Sequence, residues 1–276
     1  MAQVFFANDK DPEMQKAYER ARSTFRFFWR ELTWERRRIV PGLDMAAVKV
    51  PFQDPPEIKH DDAAPEAEQM WISDVDFDGK VISGALLNQP NWLRSIQQGD
   101  DVQVPLAGIT DWMYVIHGRA YGGFTINAMR AKMSRQERAE HDAAWGLNFG
   151  DPAKTELMPA DWLPKQSGGF FKKLFGGASD PAPNLESMEH PMAVNMVPSF
   201  EEFLKTSPGE LHSKNDKGMT FLHQMALAGS KMGVELLVNK GADVNAVTNN
   251  GMTALQLAKT LDWKEVVAFL VSKGAK

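Results

Sequence analysis

The tripeptide Gly218-Met219-Thr220 returns 33 residues later as Gly251-Met252-Thr253, and Gly241-Ala242 returns at the same interval as Gly274-Ala275. Between these fixed points Val234, Leu236, Leu237 and Val238 stand in register with Val267, Phe269, Leu270 and Val271. A fixed period of this size is the mark of a solenoid, whose units are too small to bury an apolar face alone and need neighbours. Phe203-Leu204 lie one period before Leu236-Leu237, so a third, degenerate unit precedes the two full ones. A self-standing stack needs roughly three units. This one is therefore expected to lean on the rest of the chain, with its lysine-rich last unit serving as a cap.

The stretches "NDKGMTFLHQMALAGSKMGVELLVNKGADVNA" and "TNNGMTALQLAKTLDWKEVVAFLVSKGAK" resemble the ankyrin repeat. Gly218, Thr220, Leu222, His223, Ala226 and Gly229 carry the resemblance, with Leu236, Leu237 and Gly241 to Asn245 after them. Phe221 and Ala254 stand where the family favours proline, and Gln256 replaces the histidine, which implies looser helix starts. The resemblance implies a turn and two antiparallel helices per unit over residues 199–276. It assigns His223 to the scaffold, bonding backbone at the turn between units together with Thr220. No cysteine or second histidine sits at metal-ligand spacing from it. It also implies a protein partner, held by Asp216, Lys217, Met219, Leu227 and Ala228 in the first full unit. In the second the contact positions are Asn249, Asn250, Met252, Lys259 and Thr260. The methionines and leucine among them suit an adaptable apolar contact.

Length and charge narrow the rest. The 276 residues suffice for two modest domains, and 43% apolar with 24% charged residues is an ordinary globular composition. A net charge of -5 gives none of the basic footprint that nucleic acid attracts. With no cysteine, disulfides, thiolate metal sites and cysteine nucleophiles are excluded together. No cofactor or metal is expected. "MAQVFFANDKDPEMQ" lacks the features of a signal peptide. No window approaches the ~18 apolar residues of a membrane span, so a cytoplasmic location is expected.

Ahead of the repeats the period changes. Asp11-Pro12-Glu13 is a helix start, and Met14, Ala17, Ala21, Phe25, Phe28 and Leu32 form one apolar stripe behind it. Beyond Pro41-Gly42 the alternation is by twos. "AAVKVPF" (46–52), "QMWISDV" (69–75), "DVQVPL", "DWMYVIH" and "GGFTI" read as strands, with turns at the Asp-Gly of "DFDGKVISGALL" and at Gly118. "NWLRSIQQ" (91–98) reads as a short helix ending at Gly99, and Ser134 to Glu137 as the capping box of a helix that Gly146 closes. The fold expected for residues 1–152 is α+β, a mostly antiparallel sheet with flanking helices, followed by the all-α repeat solenoid.

Four stretches, "WISDVDFDGKVISGALLNQP", "GDDVQVPLAGITDWMYV", "YGGFTI" and "HDAAWGLNFGDP", resemble the YegJ-like bacterial domains over about residues 10–152. That group has no assigned activity, and its members also occur joined to ankyrin repeats. The resemblance implies a domain identity and no mechanism.

For chemistry this half offers Asp111, His117, Tyr121 and the His141-Asp142 pair. On a straight strand Asp111 and His117 share a face about 20 Å apart. His141 and Asp142, consecutive on a helix, are expected to point in different directions. "YGGFTI" lacks the lysine and spacing of a phosphate loop, so a bulge or close backbone approach explains its glycines. A pocket on the sheet is expected to be lined by Asn88, Asp111, Trp112 and Tyr121. Arg36, Arg37 and Arg38 beside Trp29 and Trp34 are the residue types of a nucleic-acid surface, but the nearby acidic "DPPEIKHDDAAPEAE" neutralises them. Residues 153–198 read as linker. Within it "FFKKLF" (170–175) either docks on protein or makes a weak contact with an anionic membrane surface.

These features converge on a non-catalytic protein-interaction module, most concretely an immunity-type protein that neutralises a bacterial toxin or effector. The alternative is an enzyme of unassigned reaction in the α+β domain, with the repeats recruiting substrate. Asp111, His117 or His141 lying within hydrogen-bond reach of a second titratable group in a cleft would favour the alternative.

Overall fold

The computed structural model describes residues 11–60, 65–163 and 185–276; the "FFKKLF" segment lies outside them. The chain divides into two compact units, Met1–Leu157 and Met158–Lys276.

The first unit opens with α1 (Pro12–Glu35), where the Glu13 N–H donates to the Asp11 side chain at 3.0 Å and caps the helix. Six antiparallel strands follow: β1 (Met45–Phe52), β2 (Glu68–Phe77), β3 (Val81–Leu86), β4 (Asp101–Pro105), β5 (Asp111–Ile116) and β6 (Arg119–Gly122). Their order in the sheet is β4-β3-β2-β1-β5-β6. Alternation along β5 gives the sheet a core on each face. Trp112 faces α1: its indole N–H donates to the Ala21 carbonyl at 3.0 Å, and its ring lies 5.8 Å from that of Phe28. Met113 and Val115 face the other way, into a cluster with Ala47, Trp71, Ala120, Ile126 and Phe149. Two helices complete the unit, α2 (Phe124–Arg130) and α3 (Arg135–Trp145). The capping box of Ser134 and Glu137 starts α3, and Gly146 ends it with a φ of 65°.

Two stretches depart from what their local pattern implies. "GGFTI" is not a strand. Gly122 and Gly123 take φ of 79° and 70°, and a Cβ on Gly122 would lie 2.3 Å from the Trp112 carbonyl oxygen. The chain therefore leaves β6 through a turn that only glycine fits and enters α2 at Phe124. "NWLRSIQQ" is not a helix. The N–H groups of Asn91, Trp92 and Leu93 donate to the Glu68 carboxylate at 2.8, 2.9 and 3.4 Å. Those of Arg94 and Ser95 donate to Asp54 at 2.8 and 2.9 Å. These consecutive amides go to two carboxylates rather than to carbonyls four residues back, and no helical turn forms.

The second unit contains α4 (Pro191–Thr206), α5 (Phe221–Ala228), α6 (Lys231–Asn239), α7 (Ala254–Thr260) and α8 (Lys264–Ser272). The helix starts are not loosened by the missing prolines, because Thr220 with His223 and Thr253 with Gln256 form capping boxes. Gly229, at φ 71°, makes the turn between α5 and α6 against the Trp263 ring, which a Cβ there would meet at 2.3 Å. The degenerate unit lacks this turn. In the repeat register Met196 replaces Gly229, and Pro198 aligns with Lys231, the first residue of α6. The second full unit makes the turn without a glycine, Asp262 taking a φ of 53° between α7 and α8. With Met196 at that position the helices of the degenerate unit remain one, and α4 runs through Pro198 from a start inside the stretch read as linker. Ahead of it, Glu189 accepts from the Met232 N–H at 2.6 Å, and Glu186 lies 3.3 Å from Lys264. These acids sit at the N-termini of α6 and α8, where negative charge stabilises a helix.

Candidate functional site

The structure separates the ten expected ankyrin contact positions into two groups. Met219, Leu227, Ala228 and Met252 are buried, at 4%, 1%, 0% and 8% exposure. On α5 the reason is enclosure: α6 and α7 flank it, and the Trp263 indole N–H donates to the Leu227 carbonyl at 3.1 Å. These four side chains hold the stack together, which corrects their reading as contact surface. Asp216, Asn249, Lys259 and Thr260 are exposed, while Lys217 and Asn250 are half-buried. Asn249 also ties successive turns together, its side-chain amide donating to the Asp216 carbonyl at 2.8 Å. Val247, 46% exposed, was not among the expected contact positions, and Gln256, expected only as the histidine's replacement, is exposed on α7. Val247 pairs with Thr253 as an isolated bridge, and no periodic signal marks it.

His223 is part of the scaffold. Its Nδ1 accepts from the Thr220 N–H at 3.1 Å and lies 2.8 Å from the Thr220 hydroxyl, and its Nε2 donates to the Ala246 carbonyl at 2.9 Å. Burial lowers its pKa below the usual histidine value, so the ring is a neutral bridge from one unit to the next.

In the first unit the four expected pocket residues do not converge. Asp111 and Trp112 are fully buried on β5 and Tyr121 stacks on Tyr114 at 5.2 Å. Asn88 lies beyond the end of β3, which β2 and β1 separate from β5, and accepts the Trp71 N–H at 3.0 Å. An open groove of about 480 Å³ lies elsewhere, between Val50–Gln53 and the stretch from Gln103 to Gly108.

Asp111 caps α2. It accepts from the N–H groups of Trp112, Phe124 and Thr125 at 2.8, 2.9 and 2.8 Å, and from the Thr125 hydroxyl at 2.5 Å. The Lys49 ammonium donates to that same hydroxyl oxygen at 3.0 Å, from above the Trp71 ring. Burial pushes the Asp111 carboxyl up, against the opposing pull of Lys49, Thr125 and Phe124.

His117 is not on the strand. It opens the β5–β6 turn with a φ of 47°, and Gly118 follows at 71°. His141 and Asp142 do meet, against expectation, with Nδ1 3.0 Å from Oδ1. The cause is Arg130 on α2, which grips both Asp142 oxygens at 2.8 and 2.7 Å and draws that side chain beneath the helix. Among the described residues no three His, Asp or Glu side chains group to hold a metal, and no helix is long and apolar enough to cross a membrane.

Residues 11–149 match the profile of a family described as "Uncharacterized protein conserved in bacteria (DUF2314)". The chain belongs to this family. Residues 192–276 match ankyrin repeats, so the DUF2314 domain is joined to a repeat that generally mediates protein–protein binding. A putative ankyrin repeat protein of Neisseria meningitidis serogroup B is 40% identical over 267 residues, covering 97% of this chain and 96% of its own. The uncharacterized protein YegJ of Escherichia coli K12 is 27% identical over 97 residues, covering 35% of this chain and 58% of its own. Human protein phosphatase 1 regulatory subunit 27 is 32% identical over 73 residues, covering 26% of this chain and 47% of its own.

Proposed function

We propose that the protein is a non-catalytic interaction module whose ankyrin face holds a protein partner. The observation that carries this reading is the division of labour among the repeat residues. Met219, Leu227, Ala228 and Met252 pack inside the stack, while Asp216, Gln256, Lys259 and Thr260 stand exposed on it. Polar groups on rigid elements give specificity at little ordering cost. The Asp111 and Asp142 carboxylates are committed to holding α2 and α3. His141 does reach a second titratable group in Asp142, but Arg130 clamps both oxygens of that carboxylate, and the enzymatic alternative draws no support from these groups.

The test is an affinity capture with two baits, the intact chain and one carrying Asp216→Lys and Lys259→Glu. A single protein retained by the first and lost by the second supports the reading. Equal retention places the contact off the repeats and overturns it. Neutralisation of a toxin or effector in the cytoplasm is the narrower form of the proposal. It requires that the captured protein arrest growth when expressed alone and that the intact chain, but not the charge-reversed one, relieve the arrest.

A further inference from the structure

The two edges of the sheet are finished differently. β6 is covered: the Ala120 N–H donates to the Asn148 carbonyl at 3.0 Å, and the Gly122 N–H to the Glu156 carbonyl at 2.8 Å. On β4, Asp101, Gln103 and Pro105 are exposed. The β3–β4 register runs from Val81↔Pro105 to Ala85↔Asp101, and the Leu86 N–H donates to the Asp100 carbonyl at 2.9 Å. Alternation from that bond turns the N–H and C=O groups of Val102 and Val104 toward β3. Those of Asp101 and Gln103, with the C=O of Pro105, point away from the sheet. Proline is tolerated there because its missing N–H falls on the outer side.

We propose that this edge pairs with β4 of a second copy of the chain, antiparallel and centred on Gln103, joining two six-stranded sheets into one. In that register Gln103 exchanges two hydrogen bonds with its counterpart, and each Asp101 N–H reaches the Pro105 carbonyl opposite. A charge and a proline on an edge commonly serve to block such pairing. Here the two-fold sets Asp101 against Pro105, so like charges do not face each other, and the proline removes only one bond per copy. Lys80, beside Val81, comes level with Asp100 of the other copy. Two strand spacings, roughly 10 Å, separate their backbones, which the two side chains can span as an ion pair. The inference does not depend on the ankyrin partner.

The test is sedimentation of the intact chain across roughly 1–100 µM, a span that resolves weak to moderate association. A concentration-dependent dimer is expected. Gln103→Pro removes the central outward N–H while leaving the β3 ladder intact, and is expected to weaken the dimer at least ~10-fold. Pro105→Val restores the missing N–H and is expected to tighten it. Should Gln103→Pro fail to fold by circular dichroism, Pro105→Val decides, and unchanged affinity overturns the proposal. A wild-type chain that stays monomeric overturns it whatever the variants do, and so does a dimer that folded Gln103→Pro leaves unchanged.

Discussion

Replacing Glu68 by glutamine should loosen the loop at residues 91–93 while leaving the sheet in place. Glu68 is 8% exposed, and its two oxygens accept the Asn91, Trp92 and Leu93 N–H groups together with the Asn91 side-chain amide. Glutamine has the same shape but one acceptor oxygen. Its NH2 group would face the Trp92 and Leu93 N–H groups, donor against donor, and both bonds would be lost. A hydrogen bond to a charged group contributes about 1.5–3 kcal/mol, so the loss is about 3 kcal/mol or more. Removing a largely buried charge returns part of that through relieved desolvation. The expected net cost is about 2–3 kcal/mol, a sizeable share of the roughly 5–15 kcal/mol of a folded domain. Urea denaturation reads this as a lower midpoint at unchanged slope. Amide hydrogen exchange should accelerate at Trp92 and Leu93 but not in β1 or β5. A Glu68→Gln chain within about 0.5 kcal/mol of wild type, with exchange at 91–93 unchanged, would refute the argument that this carboxylate replaces the helix.

Two further outcomes follow from the same accounting. Asp111→Ala strands the buried Phe124 and Thr125 N–H groups and should lower stability by about 3 kcal/mol in urea. A partner held on the ankyrin face should still bind it, as capture at low temperature would show. At Asp54 burial raises the carboxyl, but donors from Ser95, Arg94 and His60 outweigh it and leave the pKa at about 2 against a usual 3.8. Its contribution is therefore complete above pH 3.8 and lost as the pH falls toward 2. Acid unfolding followed by fluorescence should lose that component in Asp54→Asn, and an unchanged profile would remove Asp54 from the loop's support.

What could be read from the chain was local, and what could not was distant. Asp11-Pro12, the box at Ser134 and Glu137, and the helix pairs of the two full 33-residue units each act within a turn or a unit, and each formed as expected. The 91–98 stretch has acceptable helix residues. Glu68, which diverts it, stands 23 residues earlier in the chain than Asn91. The glycines of "GGFTI" continue an alternating pattern until the Trp112 ring and carbonyl occupy the space behind Gly122. Arg130 likewise reaches 12 residues along the chain to Asp142, so the geometry of the histidine pair depended on another helix. In the repeats, spacing says which face of a unit a residue occupies, but not whether the neighbouring helices cover it. That is why Met219 and Met252, apolar and well placed for contact, belong to the core.

The two full units differ at the scaffold position held by His223 and Gln256, and the difference predicts where a histidine matters. His223 and Gln256 both take the N–H at the start of their helix, at 3.1 and 2.9 Å. Only His223 goes further, its Nε2 reaching the Ala246 carbonyl at 2.9 Å; Gln256 is exposed. His223→Gln should therefore keep the cap and lose the bridge, costing about 1–2 kcal/mol. Gln256→His, at an exposed site, should change stability by no more than about 0.5 kcal/mol. The pH dependence carries the same signature. A histidine whose folded pKa is depressed contributes its stability fully above the ordinary value of 6.5 and loses it as the pH falls through the folded value. Wild type should weaken on mild acidification, and His223→Gln should lose that component. If both substitutions cost the same, or if acid sensitivity survives His223→Gln, the histidine acts within its own unit and the bridge to Ala246 does not hold the stack together.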